Sequence, residues 1–204
     1  MQLQLNRNAT IGIGLSLITG TSFILLSILM GKENAFLLLN IDLGPVADFF
    51  FYIWANAGDG FIWIPAFALT LMYKKKFIPF LIATIVFSTL ITQSSKQIFF
   101  KSENRPTAVI ENAALIHTVS GIEIHTTNSF PSGHTATAFS LFLFCCFISS
   151  KNWIAPLGFA YALLGGYARI YVAQHFPLDV GAGIITAYCS VLLAWIIQLN
   201  YFNK

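Results

Sequence analysis

Three short stretches of the sequence combine residues that bind anions with residues that carry protons. Pro131-Ser132-Gly133-His134 opens the apolar run that continues to Phe147. A helix starting there offers free backbone N–H groups, the positive end of its dipole, a serine hydroxyl, and a glycine that lets an anion approach the backbone. Arg169 is followed six residues on by His175, and four further on by Asp179. A carboxylate held to one imidazole nitrogen fixes the tautomer and frees the other nitrogen to attack. The third stretch holds Lys96 and Arg105-Pro106. Lysine and arginine bind phosphate oxygens, arginine through a flat two-pronged donor face. His134 could give a proton to a departing oxygen while His175 attacks. Two histidines in different protonation states, a phosphate cradle and no metal-ligand spacing describe phosphoryl transfer without a metal or other cofactor.

These residues need elements that bring them together, and composition says what those elements are. Of the 204 residues, 56% are hydrophobic and 9% charged, against about 25% charged in soluble domains. The apolar residues fall in long runs, and a bilayer core takes about 20 apolar residues per helical span. Candidate spans cover roughly residues 11–30, 57–73, 77–99, 132–149, 153–173 and 177–199. The expected fold is all-α: a polytopic bundle of six transmembrane helices in one domain, residues 1–204. The first apolar run is too long for a signal peptide and reads as a retained span. The aromatic segment from Leu43 to Gly58 reads as an interfacial helix leading into the second span. Residues 100–131 form the one long connection, between spans three and four, and are expected to fold over the outer surface.

Charge sets the expected orientation. Arg7, Lys74, Lys75, Lys76, Lys151 and Lys204 fall on one side of a six-span arrangement, which the positive-inside rule makes cytoplasmic, with both termini. All eight acidic residues and all four histidines fall at the other side, as do Lys32, Lys96, Lys101, Arg105 and Arg169. Basic residues gathered on an outer side run against that rule, and ionisable groups at a membrane boundary are functional candidates. The net charge of +3 is too small to indicate nucleic acid. Cys145, Cys146 and Cys189 lie in apolar segments and read as small buried hydrophobes.

The motif residues resemble the signature of the type 2 phosphatidic acid phosphatase family, which also includes the vanadium haloperoxidases. The family pattern is K-x6-R-P, then P-S-G-H, then S-R-x5-H-x3-D. The second block matches at 131–134. The third matches at Arg169, His175 and Asp179, with Ala168 in place of the serine. In the first block Arg105-Pro106 is present. Lys96 stands two residues further from it than the pattern sets, and Lys101 is a rival. The resemblance covers roughly residues 45–199 and implies a bundle of six helices with its site at the membrane boundary. It implies that His175 forms a phosphohistidine, that Asp179 orients His175, and that His134 protonates the leaving group and later helps water attack. It implies that Lys96, Arg105, Ser132, Gly133 and Arg169 hold the phosphoryl oxygens.

The expected activity is therefore that of a lipid phosphate phosphatase of the cytoplasmic membrane, acting at the outer face. Polyprenyl diphosphate is the favoured substrate; phosphatidylglycerophosphate, phosphatidate and lipid A phosphate are the others. A transporter or binding protein for phosphorylated lipids would explain the cations but leave His134, His175 and Asp179 without a task. A haloperoxidase is disfavoured because those members are soluble. His117, His125, Glu111 and Glu123 read as solvated loop residues. Phe49, Phe50, Phe51, Tyr52 and Trp54 read as an interfacial aromatic belt, and the small residues at 181–187 as a close helix contact.

Overall fold

The computed structural model describes residues 5–202, and these are helical with no strand among them. Lys204 lies outside the described residues. The helices are α1 (Arg7–Met30), α2 (Lys32–Leu39), α3 (Pro45–Trp54), α4 (Trp63–Tyr73), α5 (Ile78–Ser94), α6 (Pro106–Val109), α7 (Gly133–Ile148), α8 (Ile154–Tyr171) and α9 (Pro177–Phe202). Helix α1 begins earlier than its apolar run because Asn6 caps it, its side-chain oxygen accepting from Ala9 N at 2.9 Å. Among the described residues, three helical segments are long and apolar enough to cross a membrane: Arg7–Met30, Lys75–Phe99 and Pro177–Asn200. Gly60–Tyr73 and Gly133–Ile148 are apolar but shorter.

Helix α9 packs against α1, α5 and α7, and α7 packs against α8. Glycine makes the closest crossings possible. A Cβ on Gly181 would lie 2.8 Å from the Gly20 carbonyl oxygen of α1, and one on Gly183 would lie 2.6 Å from the Ser132 carbonyl oxygen at the start of α7. The small-residue run of α9 is thus a close helix contact, as its sequence suggested, and it is made on two sides.

One end of the bundle is closed by polar straps and aromatic rings. Asn6 donates to Phe147 O, and Asn8 donates to Ser149 O and Lys151 O. Gln198, fully buried, accepts from Phe80 N and donates to Lys76 O. It satisfies backbone groups at the start of α5 that the helix itself cannot. Phe80 packs with Phe144, Phe147 and Trp195 nearby. Arg7, Lys76 and Lys151 therefore share this end, and the motif residues lie at the other.

Three expectations need correction. Helix α2 is formed where only a connection was expected. Phe51 is buried against Tyr167 and Tyr171, whereas Phe49 and Tyr52 are exposed; an amphipathic helix must bury one stripe, so the aromatics of α3 cannot all serve as a belt. His117 is not a solvated loop residue. Its ring lies 2.9 Å from Asp48 and edge-on to Tyr171, whose hydroxyl also donates to Asp48. This cluster ties the long connection to α3 and α8. His125, Glu111 and Glu123 are exposed.

Candidate active site

Helix α8 delivers Arg169 and then stops abruptly. Ala173 adopts a left-handed φ of 56°, the conformation that commonly ends helices. The amides of Gln174 and His175 then turn back to donate to Arg169 O at 2.9 and 3.0 Å. This sharp return places His175 beside the first turn of α9. Its Nδ1 lies 3.3 Å from Asp179 Oδ2. The same carboxylate oxygen accepts from the Ser129 hydroxyl at 2.5 Å and from Phe176 N at 2.9 Å. Asp179 is thus held by three groups, and the imidazole turns its Nδ1 towards that carboxylate. His175 is 2% exposed and Asp179 3%. Burial first, then the charges of Arg105, Arg169 and Lys96, holds the His175 imidazole well below its usual pKa. The neutral form of the ring is the favoured one.

The cations come from three other elements. Arg105 precedes α6 and is 8% exposed. Its Nε donates to Thr127 O at 2.9 Å, and its Nη1 to Gln174 Oε1 at 2.5 Å. Arg169 is 7% exposed. One of its terminal nitrogens donates to Ala55 O at 3.0 Å, while its buried Nε has no protein partner. A buried guanidinium N–H without an acceptor costs about 1–3 kcal/mol unless a ligand supplies one. Lys96 sits on a wide π turn (Ser95–Phe99) that follows α5 and donates to Asn128 O at 3.0 Å. Such turns change the direction in which a helix presents its side chains. Lys96 lies within electrostatic reach of Arg105, Arg169 and Asp179, whereas Lys101 is exposed.

The lip of α7 meets these groups from the other side. Ser132 N donates to Asp179 O at 3.0 Å, joining the two helix starts through their backbones. The Ser132 side chain is fully buried; its hydroxyl oxygen caps α7 by accepting from Thr135 N at 3.5 Å and also accepts from the Thr135 hydroxyl at 2.9 Å. Gly133 and His134 follow. His134 lines a cavity of about 230 Å³ together with Arg169, Gln174, Tyr52 and Asn56. It is within electrostatic reach of Arg169, His175, Lys96 and Arg105.

All the residues singled out by spacing therefore gather at one end of the bundle. Three others were not. Ser129 and Gln174 hold Asp179 and Arg105, and Asp59 lies 3.4 Å from His134 Nε2. Ser129 and Gln174 flank motif blocks, which is a weak signal; Asp59 stands in the Gly58-Asp59-Gly60 break ahead of α4, a signal for a turn rather than for a partner.

An all-helical chain with a carboxylate-held imidazole, a second imidazole and buried cations at one end defines a class, and the comparisons agree on it. The PAP2 superfamily description matches residues 77–202, and the chain belongs to that superfamily. An undecaprenyl-diphosphatase of Sulfolobus acidocaldarius is 32% identical over 128 residues, 62% of this chain and 58% of that protein. A lipid A 4'-phosphatase of Porphyromonas gingivalis is 32% identical over 162 residues, 77% of this chain and 68% of that protein. The crystal structure of Aquifex aeolicus LpxE superposes with a TM-score of 0.69 and 30% identity, covering 79% of this chain and 92% of that one. The matched part is thus less than two thirds of the first relative's length.

Proposed function

We propose that the protein is a lipid phosphatase that hydrolyses a phosphate monoester or diphosphate of a membrane lipid through a phosphohistidine. The observation that carries the reading is the convergence of Lys96, Arg105 and Arg169 on a buried, Asp179-held His175. In the first step His175 Nε2 forms a bond to phosphorus as the bond to the leaving oxygen breaks. His134, as imidazolium, gives that oxygen its proton. Asp179 stabilises the positive charge left on the His175 ring. In the second step water attacks phosphorus, His134 takes the water's proton, and the N–P bond breaks to release phosphate. Lys96, Arg105, the open Nε of Arg169, the Gly133 amide and the remaining hydroxyl proton of Ser132 hold the phosphoryl oxygens. Preorganised donors of this kind supply most of the rate in phosphoryl transfer.

The reading extends to topology. Six spans, with both termini in the cytoplasm, put the site at the outer boundary of the cytoplasmic membrane. A lipid's phosphate could enter it there with its tails still in the bilayer. Polyprenyl diphosphate is the favoured substrate, since an undecaprenyl-diphosphatase is among the relatives. Phosphatidylglycerophosphate, phosphatidate and lipid A phosphate follow. Purified protein incubated with a panel of these lipids is expected to release phosphate from at least one, and His175→Ala to lose about 10³-fold or more of that activity. Tight lipid binding with no phosphate release from any of them would instead make it a binding protein or transporter.

A further inference from the structure

We propose that Asp59 is a positioning residue for His134, aiming that imidazole and opposing the cations around it while it protonates the leaving group; this rests on the reading of the site given above. Asp59 Oδ1 lies 3.4 Å from His134 Nε2, an ion-pair distance. The approach is built into the backbone. Gly58 lies so close to the first turn of α7 that a Cβ there would collide with the His134 carbonyl. The Asp59 backbone is fixed in turn: its N–H donates to Asn56 O at 3.0 Å and its carbonyl accepts from Ile62 N at 3.1 Å.

The surroundings explain why a carboxylate belongs there. His134 is faced by Lys96 from the turn after α5, Arg105 from the long connection, Arg169 from α8 and His175 from the turn before α9. Each carries or can carry positive charge. Among the described residues, Asp59 is the carboxylate at ion-pair distance from His134. An opposite charge at that distance favours the protonated ring, which is the form a general acid requires. His134 also separates two openings. On one side it shares the cavity with Arg169 and Gln174. On the other it lines a second cavity of about 170 Å³ with Asp59, Gly58, Thr92 and Gln93. The substrate's leaving oxygen fits the first and the carboxylate holds the ring from the second. In the cycle Asp59 exchanges no proton. The proton lost by His134 to the leaving oxygen is regained from the attacking water, so no further proton donor is needed.

The test is the dependence of the loss on the leaving group. A general acid matters for an alkyl phosphate, whose alkoxide departs poorly, and little for p-nitrophenyl phosphate, whose phenolate departs without a proton. Steady-state kcat/KM covers the steps through loss of the leaving group. Asp59→Asn is expected to lower kcat/KM about 10-fold on the lipid phosphate and less than about 2-fold on the aryl ester. Asp59→Glu, which keeps the charge, is expected to recover most of the loss. Equal losses on both substrates, or none on either, would overturn the proposal, as would an Asp59→Glu variant no better than Asp59→Asn. Wild-type activity that vanishes in His175→Ala would leave the reading of the site standing in that case; a wild type inert on both substrates would remove both.

Discussion

His175 is the side chain on which the proposed chemistry turns, and its protonation state is set by where it sits. Burial and the cations Arg105, Arg169 and Lys96 push its pKa well down. The sign follows directly. A group with a depressed pKa is neutral above that value, so His175 stays nucleophilic through the range in which a free imidazole, with pKa about 6.5, would charge. The acid limb of kcat/KM is therefore expected below about pH 6.5, measured as phosphate release across a pH series. An acid limb at or above the ordinary imidazole value would contradict this account of the site. The candidate residues that gather at one end were legible in sequence because their order and spacing are local: Pro131 to His134, and Arg169 to Asp179. The residues that hold them were not. Ser129 is 50 positions from Asp179, and Gln174 is 69 positions from Arg105. Serine or glutamine beside a motif looks the same whether or not it finds such a partner.

At the scale of elements, the site is made by two helix starts that touch. Helices α7 and α9 begin side by side because Gly183 has no side chain to separate them and Ser132 N donates to Asp179 O. Gly183→Val is expected to push the Ser132 carbonyl away and carry the lip of α7 out of register with His175. Overpacking of this kind costs about 1–3 kcal/mol, and a displacement of about 1 Å in a reacting group costs about 10²-fold in rate. Gly14→Ala is the control, since a Cβ there meets nothing within 4 Å. Phosphate release and thermal melting in detergent measure both variants. The long apolar helices were readable from their runs. Helix α2 was not, because Lys32-Glu33-Asn34 gives its first turn the look of a polar connection. The burial of His117 was equally hidden: it depends on Asp48 and Tyr171, 69 and 54 positions away, meeting at one point.

For the whole molecule, membership of the PAP2 superfamily and the likeness to LpxE agree with the family that the motifs suggested. The departures from the motif pattern have structural settings. Lys96, two residues out of the expected spacing, stands on the π turn and reaches Asn128 O. Ala168, in the place of a serine, is fully buried against Phe51 and Tyr171. The charge asymmetry also has a physical counterpart. Lys76 and Lys151 share the end tied by Gln198 and Asn8, while Glu103, Asp48 and Asp59 share the end that holds the site.

The central claim is that His175 becomes phosphorylated, and trapping measures it most directly. Wild-type protein mixed with a radiolabelled lipid phosphate and quenched rapidly in alkali, where phosphohistidine survives and acid removes it, should carry label on the peptide containing His175. His175→Ala should carry none and release no phosphate. Undiminished turnover by His175→Ala, or label on a different residue, would contradict the mechanism.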